Sequence, residues 1–441
     1  MQIMRPKFFS NSINALIILC FAVIPFGPAA QNIALGLLFI CSMAAIDWQK
    51  IKQLPLGSIY RWPLLIGFAW VLMHLLATAL NAKNTNTNYL AYMAGFLSMF
   101  ALPWILFHVT FSVDKIKTGL EKIYPPVMIT WFLVCLSQGL FAWSLMRGFG
   151  NPIDHRASGF YSHPLTLAYC ALLCWPISLY YSQKHLKEMS RKALLFHGAT
   201  IGNLGILLLT NSRTCLAVAI FVGLWHILTA LKGRQKLIAL AVVACIGLTI
   251  GITDNPISQK AANTFAKDSP DIFSDYPDDR IAFWVAHALM IKERPAIGHG
   301  FGLDKEYRVP YYKAIGLGDF IRQYPAHNLF IQVTANAGVI GLALYILWLV
   351  SVYLIGQKGL KNDKQLRTCY MQILACFVLS SLTQDSLYDT EVRYVLSLFI
   401  GLLYMKAKVD RHPKTQTSSS DQHNLEQGEK TSLWQQAEPC H

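Results

Sequence analysis

Apolar runs broken by short polar turns recur along almost the whole chain. With about 20 apolar residues taken as the length that crosses a bilayer, twelve spans are predicted, near 12–26, 30–46, 62–80, 89–110, 124–146, 164–182, 194–210, 214–231, 236–252, 328–356, 368–384 and 393–407. Arg5 and Lys7 precede the first of them, as in a secretory leader. No small-residue cleavage site follows and a second span comes at once, so the first is expected to be retained. One connection is long, from 253 to 327, and a connection of that length usually carries function. The chain therefore reads as an all-α polytopic membrane protein. Helices one to nine fall in 1–252, a long outer loop in 253–327, helices ten to twelve in 328–408, and a polar tail expected to be disordered in 409–441.

Composition strengthens this reading: 54% of residues are hydrophobic and only 14% are charged, which excludes an ordinary water-soluble domain. The 38 Lys and Arg exceed the 24 Asp and Glu, giving a net charge of +14. With the N-terminus inside, that excess falls on inner segments such as those holding Lys115, Lys117, Lys122, Lys184 and Lys187. The basic balance then means topology and contact with anionic membrane lipids, and no nucleic acid partner is expected. None of the ten cysteines lies in the long loop, so no disulfide is expected there even though the compartment permits one.

Chemistry concentrates in a polar island, Arg280 to Asn328, reading DDRIAFWVAHALMIKERPAIGHGFGLD and then YPAHNLFIQVTANAGVIGLALYI. Ile281, Trp284, Val285, Ala288 and Leu289 recur at helical spacing, which predicts an amphipathic helix lying on the bundle or the membrane surface. Gly298, Gly300 and Gly302 suggest a dinucleotide-binding turn, but that fingerprint needs a preceding strand, and here a helical pattern precedes and an irregular polar stretch follows. The glycines are read as a sharp backbone turn. His327 follows Pro325 and precedes a capping Asn328, at the head of span ten. The positive end of the helix dipole there favours a neutral imidazole, so His327 is either a cap residue or a base.

Three more outer segments carry charge: HRASGFYSHP with Arg156 and His163, the tight turn TNSRT with Arg213, and QDSLYDTEVR with Asp385, Asp389, Glu391 and Arg393. An arginine at the bilayer centre costs about 2.5–3.5 kcal/mol and less near the interface, so Arg213 either snorkels or meets an anion. The acids either form a solvated turn, hold an arginine or act as a base. Asp278, Asp279, His287 and His299 lack the spacing of a metal site. Serine-hydrolase and P-loop motifs are missing. Neither a metal nor another cofactor is expected.

In order, Arg280, Trp284, RPAIGHGFG and HNLFIQVTANAGVIGL, with NSRT and RASGFYSHP upstream, resemble the O-antigen ligase and polymerase superfamily of bacterial envelope glycosyltransferases. The likeness runs over roughly residues 150–405. For the ligase branch it implies a C-type glycosyltransferase fold of about twelve transmembrane helices with one long periplasmic loop, in the inner membrane of a Gram-negative bacterium. It also implies transfer of an O-antigen glycan from undecaprenyl pyrophosphate to a hydroxyl of lipid A-core, with inversion. On matching motifs, Arg213 and Arg280 would bind the pyrophosphate and His327 would be the base. Arg156, His163, Trp284, Asn328 and Asp389 would add substrate contacts. An O-antigen polymerase and a protein O-oligosaccharyltransferase share the donor chemistry and differ in acceptor; one long loop and modest length favour the ligase. A transporter would bury ionisable groups at mid-membrane, whereas these gather at the outer face.

Overall fold

The computed structural model describes residues 4–46, 58–81, 88–141, 143–144, 148–149, 156–241, 279–301, 304–316 and 325–411. Its helices are α1 (Met4–Ala22), α2 (Pro28–Ala44), α3 (Trp62–Asn81), α4 (Asn88–His108), α5 (Val113–Phe141), α6 (Pro164–Lys184), α7 (Arg191–Leu209), α8 (Arg213–Ala230), α9 (Asp279–Glu293), α10 (Asp304–Ala314), α11 (Leu329–Gly359), α12 (Lys364–Ser380) and α13 (Thr390–Arg411). Residues 233–241 are also helical. The rest of the ninth expected span, the 253–278 stretch of the long loop, and the tail beyond 411 lie outside the described residues.

Among the described residues, α3 to α8 and α11 are the seven helices long and apolar enough to cross a membrane. The first, second, eleventh and twelfth expected spans are helical but fall short of that measure. The apolar parts of α1 and α2 are short, α12 has 17 residues, and α13 carries Glu391, Arg393, Lys406 and Lys408. Leu65, Phe68, Leu72, Leu76 and Leu80 form a bare stripe along α3, a patch that water would not tolerate on a monomer but that lipid covers. The protein is a multi-pass membrane protein. Expected span five starts earlier and stops sooner than its apolar run suggested. α5 ends at Phe141, and Trp143–Ser144 pairs antiparallel with Gly148–Phe149.

Polar caps set the helix starts. Ser190, Ser212, Asn328 and Asp363 accept backbone N–H groups at the heads of α7, α8, α11 and α12, each satisfying a donor that a helix end leaves open. α6 is buried along nearly its whole length and runs from one end of the bundle, at Thr166, to the other, at Lys184.

The tenth expected span is not one continuous helix. α11 breaks at Gly338, where φ is 65° and ψ −172°. The break separates the Ala335 and Asn336 carbonyls from the Val339 and Ile340 N–H groups that would pair with them in a regular helix. Residues 295–300 fill the gap: His299 N–H donates to Ala335 O (2.9 Å), Gly300 N–H to Asn336 O (2.8 Å), Val339 N–H to Pro295 O (2.8 Å) and Ile340 N–H to Ala296 O (3.4 Å). Every orphaned group finds a partner, as burial in a bilayer requires. The RPAIGHGFG glycines are thus a backbone wedge in a split membrane helix. A Cβ on Gly298 would lie 2.5 Å from Asn336 C, and one on Gly300 2.6 Å from Thr78 Cα.

Two further expectations are corrected. The polar stretch after the glycines is not irregular, since 304–314 forms α10. The face of α9 that packs inward is Ala282, Phe283, Ala286, His287 and Met290, the neighbour of the stripe predicted. α9 is apolar almost all round, so spacing alone could not choose between the two faces.

Candidate active site

His327 sits just before α11 with φ at 47°, a left-handed conformation costly for a side chain with a Cβ. The backbone around it is clamped. Ala326 N–H donates to Gln332 Oε1 (2.9 Å), Trp284 Nε1–H to Ala326 O (2.9 Å), Asn328 Nδ2–H to Leu382 O (3.0 Å) and Leu329 N–H to Ser381 O (2.8 Å). The imidazole Nδ1 donates to Gln384 Oε1 at 2.7 Å and lies 3.9 Å from Asp385 Oδ1. A proton on Nδ1 puts the basic lone pair on Nε2. The ring is 21% exposed and Asp385 behind it only 8%, so the imidazole faces outward from a buried polar backing. His287 completes that backing, with Nδ1 donating to Phe283 O (2.7 Å). Burial, then the Arg308 charge, pulls its pKa down to about 4, and His287 stays neutral at physiological pH.

The turn that holds His327 also reaches the arginines. Thr383 Oγ1 donates to Thr214 Oγ1 at 3.0 Å, adjacent to Arg213 at the head of α8. Tyr169 of α6 lies within electrostatic reach of both Arg280 and Asp389. Arg156 Nε donates to Thr210 O at 2.7 Å and Ala157 N–H to Leu209 O at 3.0 Å, fixing Arg156 at the same α7–α8 turn. The starts of α6, α8, α11 and α13 therefore meet at one end of the bundle, tied by Thr166 to Asp389, Thr214 to Thr383, and Asn328 to Leu382. Helix N-termini carry partial positive charge, and together with guanidinium groups they favour an anion.

The remaining expected residues have mixed placements. His163 caps α6, its Nδ1 accepting from Leu165 N–H at 3.1 Å. Trp284 and Asn328 support the His327 backbone. Arg393 holds the α12–α13 turn: its Nη1 donates to Leu387 O and Tyr388 O at 3.0 Å each, and its Cζ lies 4.6 Å from the Phe96 ring centre. Among the described residues no three His, Cys, Asp or Glu side chains group as metal ligands. Asp278 lies outside the described residues.

Residues 198–346 match the family model described as O-antigen ligase. That stretch is similar to the O-antigen ligase family. No curated protein matches the chain. The match supports a glycosyltransferase-like membrane enzyme acting in glycan transfer. The match spans Arg213, Arg280 and His327 and stops short of the turn that holds the histidine. Gln384 and Thr383 went unrecognised in the sequence, because neutral residues in a polar turn look like any solvated loop; only Asp385 beside them carried a charge signal.

Asp389 is a titrating group at this end of the bundle. Burial first, then the charges of Glu391 and Asp385, push its pKa up to about 7, against the opposing Thr166 hydrogen bond and Arg393. A carboxyl raised above its unfolded value of 3.8 is held protonated by the fold. Its contribution to stability is therefore full below about pH 4 and lost as pH rises to about 7. Asp389→Asn should remove that loss. Thermal unfolding in detergent should show the variant gaining on the parent from about pH 4 to about pH 7 and holding a constant lead above; parallel curves would contradict the assignment.

Proposed function

We propose that the chain is an O-antigen ligase: it moves a glycan from undecaprenyl pyrophosphate to a hydroxyl of lipid A-core, on the periplasmic side of the inner membrane. The observation that carries this reading is His327, its Nδ1 donating to Gln384 beside buried Asp385, at the end of the bundle where four helix N-termini and the arginine-bearing segments meet. The acceptor oxygen attacks the anomeric carbon while its proton passes to Nε2 of His327. The bond from that carbon to the phosphate oxygen breaks, and its electron pair leaves on the pyrophosphate. Attack from the face opposite the leaving group inverts the anomeric centre.

Negative charge grows on the diphosphate as that bond lengthens. Arg213 and Arg280 offer always-charged, bidentate partners for it. Gln384 and Asp385 orient the ring and stabilise its positive charge after proton transfer, as a general base requires. Arg156, fixed beside Arg213, and Asp389 bound the donor site; Trp284 and Asn328 keep His327 in its strained conformation. The driving force is stored in the pyrophosphate linkage, so no nucleotide is consumed.

The test is complementation of a strain lacking its own O-antigen ligase. The parent chain should restore long-chain lipopolysaccharide, and Arg280→Ala should leave intact polymer on undecaprenyl pyrophosphate. Arg213→Lys should fail as well, since lysine replaces a planar fork with a point charge; full restoration by that variant would make Arg213 a snorkelling residue. No restoration by the parent, with polymer length or periplasmic protein glycans changed in its own host, would move the assignment to a polymerase or a protein oligosaccharyltransferase.

A further inference from the structure

A cavity of about 850 Å³ opens at the end of the bundle remote from His327. α6 and α13 fix this placement, because each runs from the candidate active site, at Thr166 and Asp389, to the cavity rim, at Lys184 and Lys406. Nothing in glycan transfer uses this space.

Its polarity changes with depth. The rim carries Asp114, Lys117, Lys184, Asp363, Lys406 and Lys408, while the floor is Phe21, Leu120, Tyr124, Ile177, Leu402 and Met405. A separate, smaller void, also lined by Phe21 and Tyr124, lies toward Met128 and Trp131. Along α5 the cavity reaches from Lys117 to Tyr124, about 10 Å at about 1.5 Å per residue, roughly a third of the hydrocarbon core. The hollow has the depth for the headgroup and the upper part of an acyl chain.

The rim favours an anion. Glu121, at the cavity wall, is already shared by Lys184 and by Lys192, whose Nζ is 2.6 Å from Oε2. Asp363 is committed to capping α12 through Leu366 N–H at 2.9 Å. Lys408 donates to Val109 O at 2.8 Å and keeps its charge at the rim. Cations thus outnumber carboxylates, in a setting where basic residues at the membrane surface attract acidic headgroups. A small soluble phosphate would engage the lysines and leave the apolar floor wet, which is unfavourable. A lipid satisfies both regions.

We propose that this cavity binds one anionic phospholipid, its phosphate among Lys117, Lys184 and Lys406 and one acyl chain along the floor beneath Leu402 and Met405. The test is native mass spectrometry of the full chain in detergent, titrated with phosphatidylglycerol, phosphatidylethanolamine or inorganic phosphate. One phosphatidylglycerol per chain should be retained and phosphatidylethanolamine should bind about tenfold more weakly. Excess inorganic phosphate should not displace the lipid. Lys117→Glu with Lys406→Glu should weaken retention by about tenfold or more, and Leu402→Trp, which fills the floor, should abolish it. Lys117 is exposed, so Lys117→Gln alone serves if the double variant is unstable. Equal binding of the two lipids, displacement by phosphate, or parent-like retention in the folded variants would each overturn the proposal.

Discussion

Replacing His327 with alanine should lower glycan transfer by about 10²- to 10⁴-fold, the range of a general base, while the chain still inserts and folds. The ring packs near Phe283, with centroids 5.7 Å apart, yet it is partly exposed and fills no core. The residue at 327 is held by backbone bonds that alanine keeps. Gln384→Leu should act through the same atom in a graded way: without an acceptor for Nδ1–H the ring loses its orientation, kcat falls and donor KM barely moves. Single-turnover transfer by purified protein from a lipid-linked donor checks both. Parent-like turnover in His327→Ala would remove the imidazole from the chemistry and leave it a capping residue.

Gly338→Ala should cost about 3 kcal/mol or more, because two penalties coincide. The backbone there has φ 65° and ψ −172°, a region open essentially to glycine alone. The new Cβ would also fall 2.1 Å from Ala296 O, and the obstacle is backbone, with no rotamer to move aside. α11 must straighten, or residues 295–300 must leave the split. Either outcome strands buried peptide groups, so the measurements are thermal unfolding in detergent and limited proteolysis around residue 297. Gly298→Ala reaches the same contact from the other side and should give the same pattern. An unchanged midpoint with unchanged cleavage would mean that the wedge contributes nothing to stability.

These cases show what could be read from the sequence. Apolar runs located most helices because bilayer burial imposes a length and a composition on each. Arg213, Arg280 and His327 were legible because charge and a ring nitrogen beside a cap stand out against apolar surroundings. The kink was not, since Gly338 in TANAGVIGL reads as an ordinary small residue in an apolar helix. Its break exists because a distant segment supplies the missing hydrogen bonds. The buried side of α9 was decided likewise by its partners, α10 and α11, and not by its own periodicity. Gln384 could be found only once folding brought it to the imidazole.

The hold on His327 has a consequence for how the chain can be divided. The family-matched stretch, 198–346, carries the arginines, the wedge and the imidazole, but Gln384 and Asp385 come from a turn some forty residues beyond its end and Thr166 from before its start. A chimera that exchanged that stretch alone would transplant the imidazole without the amide that accepts its Nδ1–H. On the proposed function, donor preference would travel with such a graft only when the α12–α13 turn and the head of α6 travelled too, so recombination or directed evolution would have to carry these discontinuous pieces together.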